Sequence, residues 1–326
     1  MKRVWCTMES VEANLDALAA SKVLVVGDIM LDRYWFGSVD RISPEAPVPV
    51  LTVGETEERI GGAGNVAANV RALAGVSSLI GFVGNDEAGR AVHDMVDSGQ
   101  IGNGIYTDPK IKTTLKLRLI ARNQQLLRTD FEDSPSRDAL DQLIEQYGSF
   151  IKDHDAVVLS DYGKGALTDI PTLISIAKAH ACPILVDPKG SSFDQYAGAT
   201  IITPNLKEFI AVAGPCADEE EMERKAHDLI ARLDIDCLLI TLSEKGMVLF
   251  SKENAPVYQS AKTLEVYDVS GAGDTVIAVM AMSMAARLDN DAALDLANAA
   301  AGVVVSKLGT ATLTCEELRF ALMREN

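Results

Sequence analysis

Apolar and polar positions follow two rhythms along this chain. Short continuous runs rich in Val, Ile and Leu read as buried strands: Lys22 to Gly27, Ser78 to Gly84, Ala156 to Ser160, Pro183 to Val186, Thr200 to Thr203 and Cys237 to Thr241. Segments of helical character separate them, at Val11 to Ala20, from Asn65 through Ala74, at Glu87 to Ser98, and over 136–152, 170–180 and 218–232. Met247 to Phe250 and Val257 to Gln259 add two short strands. Helices over 276–288 and 291–306, with a last one from Cys315, close the chain. Strand and helix alternating on this scale predict an α/β fold, with a parallel sheet covered on both faces.

Two stretches break the rhythm. Residues 34–60 carry three prolines and no helical period, so they predict short strands with edge character. Residues 104–132 include TTLKLRLIARNQQLLRTDFE, which alternates as a strand pair does, with Asn123 and Gln124 at a hairpin tip. Together they predict a small sheet inserted over the cleft at the strand ends, a lid on one domain spanning 1–326. Extension of the main sheet by the same strands is the alternative.

Composition narrows the partners. The chain is 48% hydrophobic and 24% charged, with a formal charge of −17. That balance is globular, and so acidic a surface disfavours nucleic acid and anionic membranes as partners. Five scattered cysteines, none in CxxC spacing, and four isolated histidines predict a reducing, cytoplasmic setting with no zinc site. The N-terminus lacks a signal-peptide core, and the apolar run near Val276 is too short for a bilayer span.

Candidate chemistry gathers at strand ends, where open α/β sheets bind ligands. Asp268-Val269-Ser270-Gly271-Ala272-Gly273-Asp274-Thr275 follows an extended run from Leu264 to Tyr267 and opens a buried helix. Glycines at a helix start leave free N–H groups for a phosphate. A carboxylate beside an anion site makes sense as the base for an attacking hydroxyl. A plain capped helix start is the competing reading. The cluster Gly61-Gly62-Ala63-Gly64-Asn65 also precedes a helix and permits close ligand approach, or is a turn capped by Asn65. Asp28 and Asp32 follow the first strand. Asp161/Lys164, Asp187/Lys189, Asn205/Glu208 and Thr241/Ser243 follow four others. Asn205 and Glu208 also read as a helix cap with its capping-box partner. The combination points to phosphoryl transfer to a hydroxyl.

Two motifs, GGAGNVAANVRALAG at 61–75 and DVSGAGDTVIAVM at 268–280, resemble those of the ribokinase/PfkB carbohydrate kinases in order and spacing. The resemblance covers nearly the whole chain. It implies a ribokinase-like three-layer αβα sandwich, predominantly parallel, with a β-sheet lid. GDIMLDRYWFG, RISPEAPVPV, RNQQLLRTDFE, LSDYGKGAL, DPKG, TPNLKEF and AAAGVVVSKLGT are similar to the branch that phosphorylates the anomeric O1 of D-glycero-β-D-manno-heptose 7-phosphate, a precursor of ADP-heptose for lipopolysaccharide. That branch is often fused to a nucleotidyltransferase. A chain ending at Asn326 reads as the stand-alone form.

Carried onto matching positions, the resemblance implies Asp274 as catalytic base and Gly271, Ala272 and Gly273 as anion hole. Asn205 and Glu208 match the NxxE motif that organises Mg²⁺, through water, and ATP. Thr241, Ser243, Gly246 and Asn298 would border the nucleotide, with Ser243 where glycine is frequent. Asp28, Asp32, Gly62 and Asn65 would contact the sugar. Lys164, Lys189, Arg118 and Arg128 are candidates for the sugar's own phosphate. Asp268 and Ser270 sit where some members bind a monovalent cation such as K⁺; Ser270 replaces a threonine and Gly64 an alanine. A homodimer through the lid is expected. A kinase of another phosphosugar or a nucleoside, and a non-catalytic sugar sensor, are the alternatives.

Overall fold

The computed structural model of the chain describes residues 8–122, 124–252, 254–262 and 266–323. Asn123 and Leu264 therefore lie outside the described residues. The strands are β1 (Lys22–Gly27), β2 (Ile29–Ile42), β3 (Pro49–Gly62), β4 (Val76–Gly84), β5 (Gly102–Asp108), β6 (Leu115–Ala121), β7 (Gln124–Phe131), β8 (Ala156–Ser160), β9 (Ile184–Asp187), β10 (Ile201–Ile202), β11 (Cys237–Thr241), β12 (Met247–Ser251) and β13 (Val257–Gln259). The helices are α1 (Met8–Ala19), α2 (Ala63–Ala72), α3 (Glu87–Ser98), α4 (Arg137–Phe150), α5 (Ile170–Ala179), α6 (Leu206–Ala213), α7 (Glu219–Leu233), α8 (Ala272–Ala285), α9 (Asn290–Val304) and α10 (Cys315–Met323).

Nine strands form one sheet in the order β13-β12-β11-β10-β9-β8-β1-β4-β5. It is parallel except for β12 and β13 at one edge. Alternate residues of β1 enter opposite cores: Val23 and Val25 pack with α2, α8 and α9, while Leu24 and Val26 pack with α4, α5 and α7. The result is the three-layer α/β sandwich, with strands apolar on both faces because helices cover both. α8 is buried along nearly its whole length and has no polar face, so it behaves as part of the core.

The winding reverses between β1 and β8, whose C-terminal ends lie side by side. Such a switch point leaves a crevice beyond the strand ends. Over it stands a second sheet, β3-β2-β6-β7, in which β2 is antiparallel to β3 and parallel to β6.

The structure corrects several boundaries. The 34–60 stretch is two long strands, from Ile29 and to Gly62, with the prolines confined to the turn between them and to the first residue of β3. Residues 102–108 pair with β4 at the edge of the large sheet, so only 115–131 of the second stretch joins the small one. α6 follows Asn205 directly, as the capping-box reading of Asn205 and Glu208 allowed, although no helix length was assigned there. α8 starts at Ala272, which puts Asp274 inside its first turn.

Candidate active site

Gly271 precedes α8 with φ 80°, a left-handed conformation that favours glycine, and this turn swings the helix start toward α2. Asp274 is thereby buried against two donors. Asn65 Nδ2 donates to one carboxylate oxygen at 2.7 Å and the Tyr162 hydroxyl to the other at 2.6 Å. Asn69 ties the arrangement together, donating to the Asn65 carbonyl at 2.9 Å and accepting from the Thr275 hydroxyl at 3.1 Å. Burial pushes the Asp274 carboxyl up to about 6, against the two hydrogen bonds, which favour its charge. Of the three expected anion-hole amides, that of Ala272 donates to the Val269 carbonyl at 3.3 Å, and Gly273 lines the adjoining cleft.

That cleft runs along the strand ends and is lined by Asp161, Tyr162, Asp187, Lys189, Asn205, Glu208, Thr241 and Gly273 among others. It unites the helix start of α8 with the pair that opens α6. Asn205 and Glu208 form a complete capping box: the Glu208 amide donates to Asn205 at 3.0 Å, and the Asn205 amide to Glu208 at 3.1 Å. Glu208 also pairs with Lys189 at 3.0 Å. Asp187 accepts no hydrogen bond from a described side chain, and burial, with Asp274 and Glu208 nearby, raises its pKa well above the usual carboxylate range. Further along the sheet edge, the Leu242 amide closes onto the Gly246 carbonyl at 2.7 Å around Ser243, and Asn298 donates to the Ser260 carbonyl at 2.7 Å.

The acceptor side differs more from expectation. Asp28 is buried and faces protein: its carboxylate takes the amides of Tyr162 at 2.8 Å, Lys164 at 2.9 Å and Ala166 at 2.9 Å. It shapes the loop after β8 and is engaged by that loop; a sugar contact was the expectation for it. Gly62, at φ 59°, brings the start of α2 so close that a Cβ would collide with the Asp28 carbonyl. Asp32 pairs with Arg118 at 2.6 Å under the small sheet. Arg118 remains above the ordinary arginine value, because Asp32 overcomes the opposing effect of burial.

The other expected phosphate holders are already paired. Lys164 meets Glu132 at 2.7 Å, and Arg128 makes two bonds to Asp130 at 2.8 and 2.9 Å. Lys189 sits in the cleft with Asn205 and Glu208, away from Asp32. Asp268 accepts from the Ser270 and Gly309 amides, each at 2.9 Å; burial works against it, but those bonds hold its pKa below the usual value. It fastens two loops, and both oxygens are engaged where a monovalent cation was expected.

Sequence reasoning missed Tyr162, Lys116 and Arg59. Tyr162 directly follows Asp161, a strand-end residue already singled out; Asp187 was named there with Lys189 but without a separate role. Lys116 shares the two-residue period of Arg118, a signal sufficient to put both on one sheet face. Arg59 carried no sequence signal: it donates to the Leu308 carbonyl and pairs with Glu57 at 2.9 Å, contacts made only by the fold.

Comparison with known proteins agrees with this architecture. A family model described as pfkB family carbohydrate kinase matches residues 20–317. The chain is 49% identical over 309 residues to the bifunctional protein HldE of Chromohalobacter salexigens; the match covers 95% of this chain and 65% of that protein, so the chain spans about two thirds of its relative's length. Among solved structures, Escherichia coli phosphofructokinase-2 in complex with potassium superposes with a TM-score of 0.77 at 17% identity, covering 94% of this chain and 98% of the other. Arabidopsis thaliana ribokinase complexed with ribose and ATP gives 0.72 at 19% identity, covering 93% and 99%.

Proposed function

The chain belongs to the pfkB family of carbohydrate kinases, and from that premise we propose that it phosphorylates the anomeric O1 of D-glycero-β-D-manno-heptose 7-phosphate with ATP, giving the 1,7-bisphosphate on the way to ADP-heptose. The observation that carries this reading is Asp274. A buried carboxylate with a raised pKa, held by two donors, sits one residue from a glycine that lines the strand-end cleft. There it orients the acceptor hydroxyl and takes its proton as that oxygen attacks the γ-phosphoryl group. The amides of Gly271 and Gly273 and the charge of Lys189 meet the negative charge on the transferring group.

ATP lies along the cleft from Gly273 past Asn205 and Glu208 to Thr241, Ser243 and Gly246, with Asn298 fixing the outer wall. The donor set fits Mg²⁺: Asp187 offers an unengaged carboxylate, and Asn205 and Glu208, whose oxygens already close the capping box, would hold the ion through water. Bound there, the ion would neutralise charge on the ATP phosphates. Asp32 and Asn65 bound the acceptor pocket, with the small sheet as its lid on a domain spanning 1–326. Apolar residues on the lid's far side support a homodimer through it. No helix of the described residues is long and apolar enough to cross a membrane, and we read the site of action as the cytoplasm, where ATP is made.

Asp274→Asn tests the assignment. Turnover is expected to fall by a factor of about 10² or more, the usual scale for loss of a general base, while ATP and sugar binding by calorimetry persist. Near-normal turnover would contradict the role of Asp274.

A further inference from the structure

The face of the small sheet that covers the crevice is rich in cations, and all but one are paired with a carboxylate among the described residues. Strand register places Arg59, Asp32, Lys116 and Asp130 in one row, and Glu57, Tyr34, Arg118 and Arg128 in the next. Arg59 pairs with Glu57, Arg118 with Asp32 and Arg128 with Asp130. Lys116 is half-buried and makes no ion pair or hydrogen bond with a described residue. In a chain with 47 acidic and 30 basic side chains, carboxylates are in surplus. A buried ammonium normally takes one, because an uncompensated charge is expensive to desolvate.

Its position is specific. The Lys116 ammonium lies 5.4 Å from the centre of the Tyr162 ring, and the hydroxyl of that ring donates to Asp274 at 2.6 Å. One tyrosine thus touches both the base and a cation that has no carboxylate partner among the described residues. Beside it, Tyr34 is held between Arg59 and Arg118, 5.3 and 5.1 Å from its ring centre, and its buried hydroxyl has no partner among the described residues. Burial lowers the proton affinity of Lys116, helped by Arg118 and Arg128 and opposed by Asp32 and Asp130. Lys110, which has a carboxylate partner in Asp138, shifts the other way.

We propose that Lys116 recognises an anionic substituent of the acceptor sugar, its own phosphate, and so determines which sugars are used. The inference rests on the sugar-kinase reading of Asp274 and deepens it. With the hydroxyl to be phosphorylated at Asp274, the far end of a phosphosugar reaches the ammonium, and a sugar without a phosphate leaves Lys116 unpaired.

The test is Lys116→Met, assayed with heptose 7-phosphate and with the unphosphorylated heptose. For the phosphorylated acceptor KM should rise about 10- to 100-fold, the range for a lost hydrogen bond to a charged group, with kcat nearly kept. KM for the unphosphorylated sugar and for ATP should stay unchanged, and Lys116→Arg should recover much of the loss. Should Lys116→Met fail to fold, Lys116→Gln takes its place. An unchanged KM overturns the proposal. An equal loss of kcat with both acceptors also overturns it, because the lysine would then serve the transferring phosphoryl group. Wild-type enzyme that prefers the unphosphorylated sugar overturns the proposal and the phosphosugar reading together. Wild-type selectivity that survives in the variant overturns the role of Lys116 alone.

Discussion

Asp274 has both oxygens held by neutral donors inside a desolvated pocket. Burial favours its protonated form, and Asn65 and Tyr162 favour the carboxylate; the balance falls at about 6. The charges that face it are Asp32, Lys116 and, from β9, Asp187. If Asp274 is the base proposed, it works ionised, and kcat should climb as pH rises through about 6 and level off above it. Tyr162→Phe removes a donor to the charged form, so the acid limb should move to higher pH, by roughly one unit for a charge-assisted bond. A pH–rate profile measures this; an unmoved limb would mean that Tyr162 only fills space. A carboxylate in the first turn of a glycine-opened helix is legible in the sequence. Tyr162 is not, because its partnership with Asp274 joins residues 112 positions apart and arises only when β8 and α8 meet at the switch point.

Asp28 shows how an element, more than a side chain, makes the site. Its carboxylate gathers three amides of the 162–166 loop, and that loop aims Tyr162. Asp28→Asn replaces an acceptor oxygen by a donor facing N–H groups, and should cost about 2–3 kcal/mol of stability, the scale for a buried unsatisfied group. Thermal melting checks this: a clear drop in Tm is expected, with turnover reduced through Tyr162. A raised sugar KM at unchanged Tm would instead return Asp28 to the role of sugar contact. The sequence could not separate these uses, since an aspartate at a strand end serves either. Elements with strong periodicity, such as β1, β8 and α3, are legible to within a residue or two. The start of α6 is legible in its capping box while its short extent is not, and β5 (GNGIYTD) has too few apolar residues to announce itself. The prolines of 44–49 led the reading toward short edge strands, although they occupy only the turn and its margin.

At the scale of the whole molecule, the small sheet presents two unlike faces. Alternation along its strands puts Asp32, Lys116 and Arg118 toward the crevice and Trp35, Leu119 and Leu127 side by side on the other face. Leu127 is 58% exposed, with Phe131 on the same strand face also open. If that face pairs two copies, light scattering should give twice the chain mass, and Leu127→Asp should give the single-chain mass; a wild-type monomer at micromolar concentration would contradict the dimer. The formal charge of −17 repels anionic ligands at long range, so on the proposed reading capture of ATP and a phosphosugar depends on the few cations inside the crevice. The central claim is the identity of the acceptor and the atom that is phosphorylated. The most direct measurement is ATP consumption across heptose 7-phosphate, fructose 6-phosphate, ribose and adenosine, with ³¹P NMR of the products. The account predicts the highest kcat/KM for heptose 7-phosphate and a new phosphorus signal coupled to the anomeric proton. Preference for another acceptor, phosphorylation at another carbon, or sugar binding without turnover would contradict it.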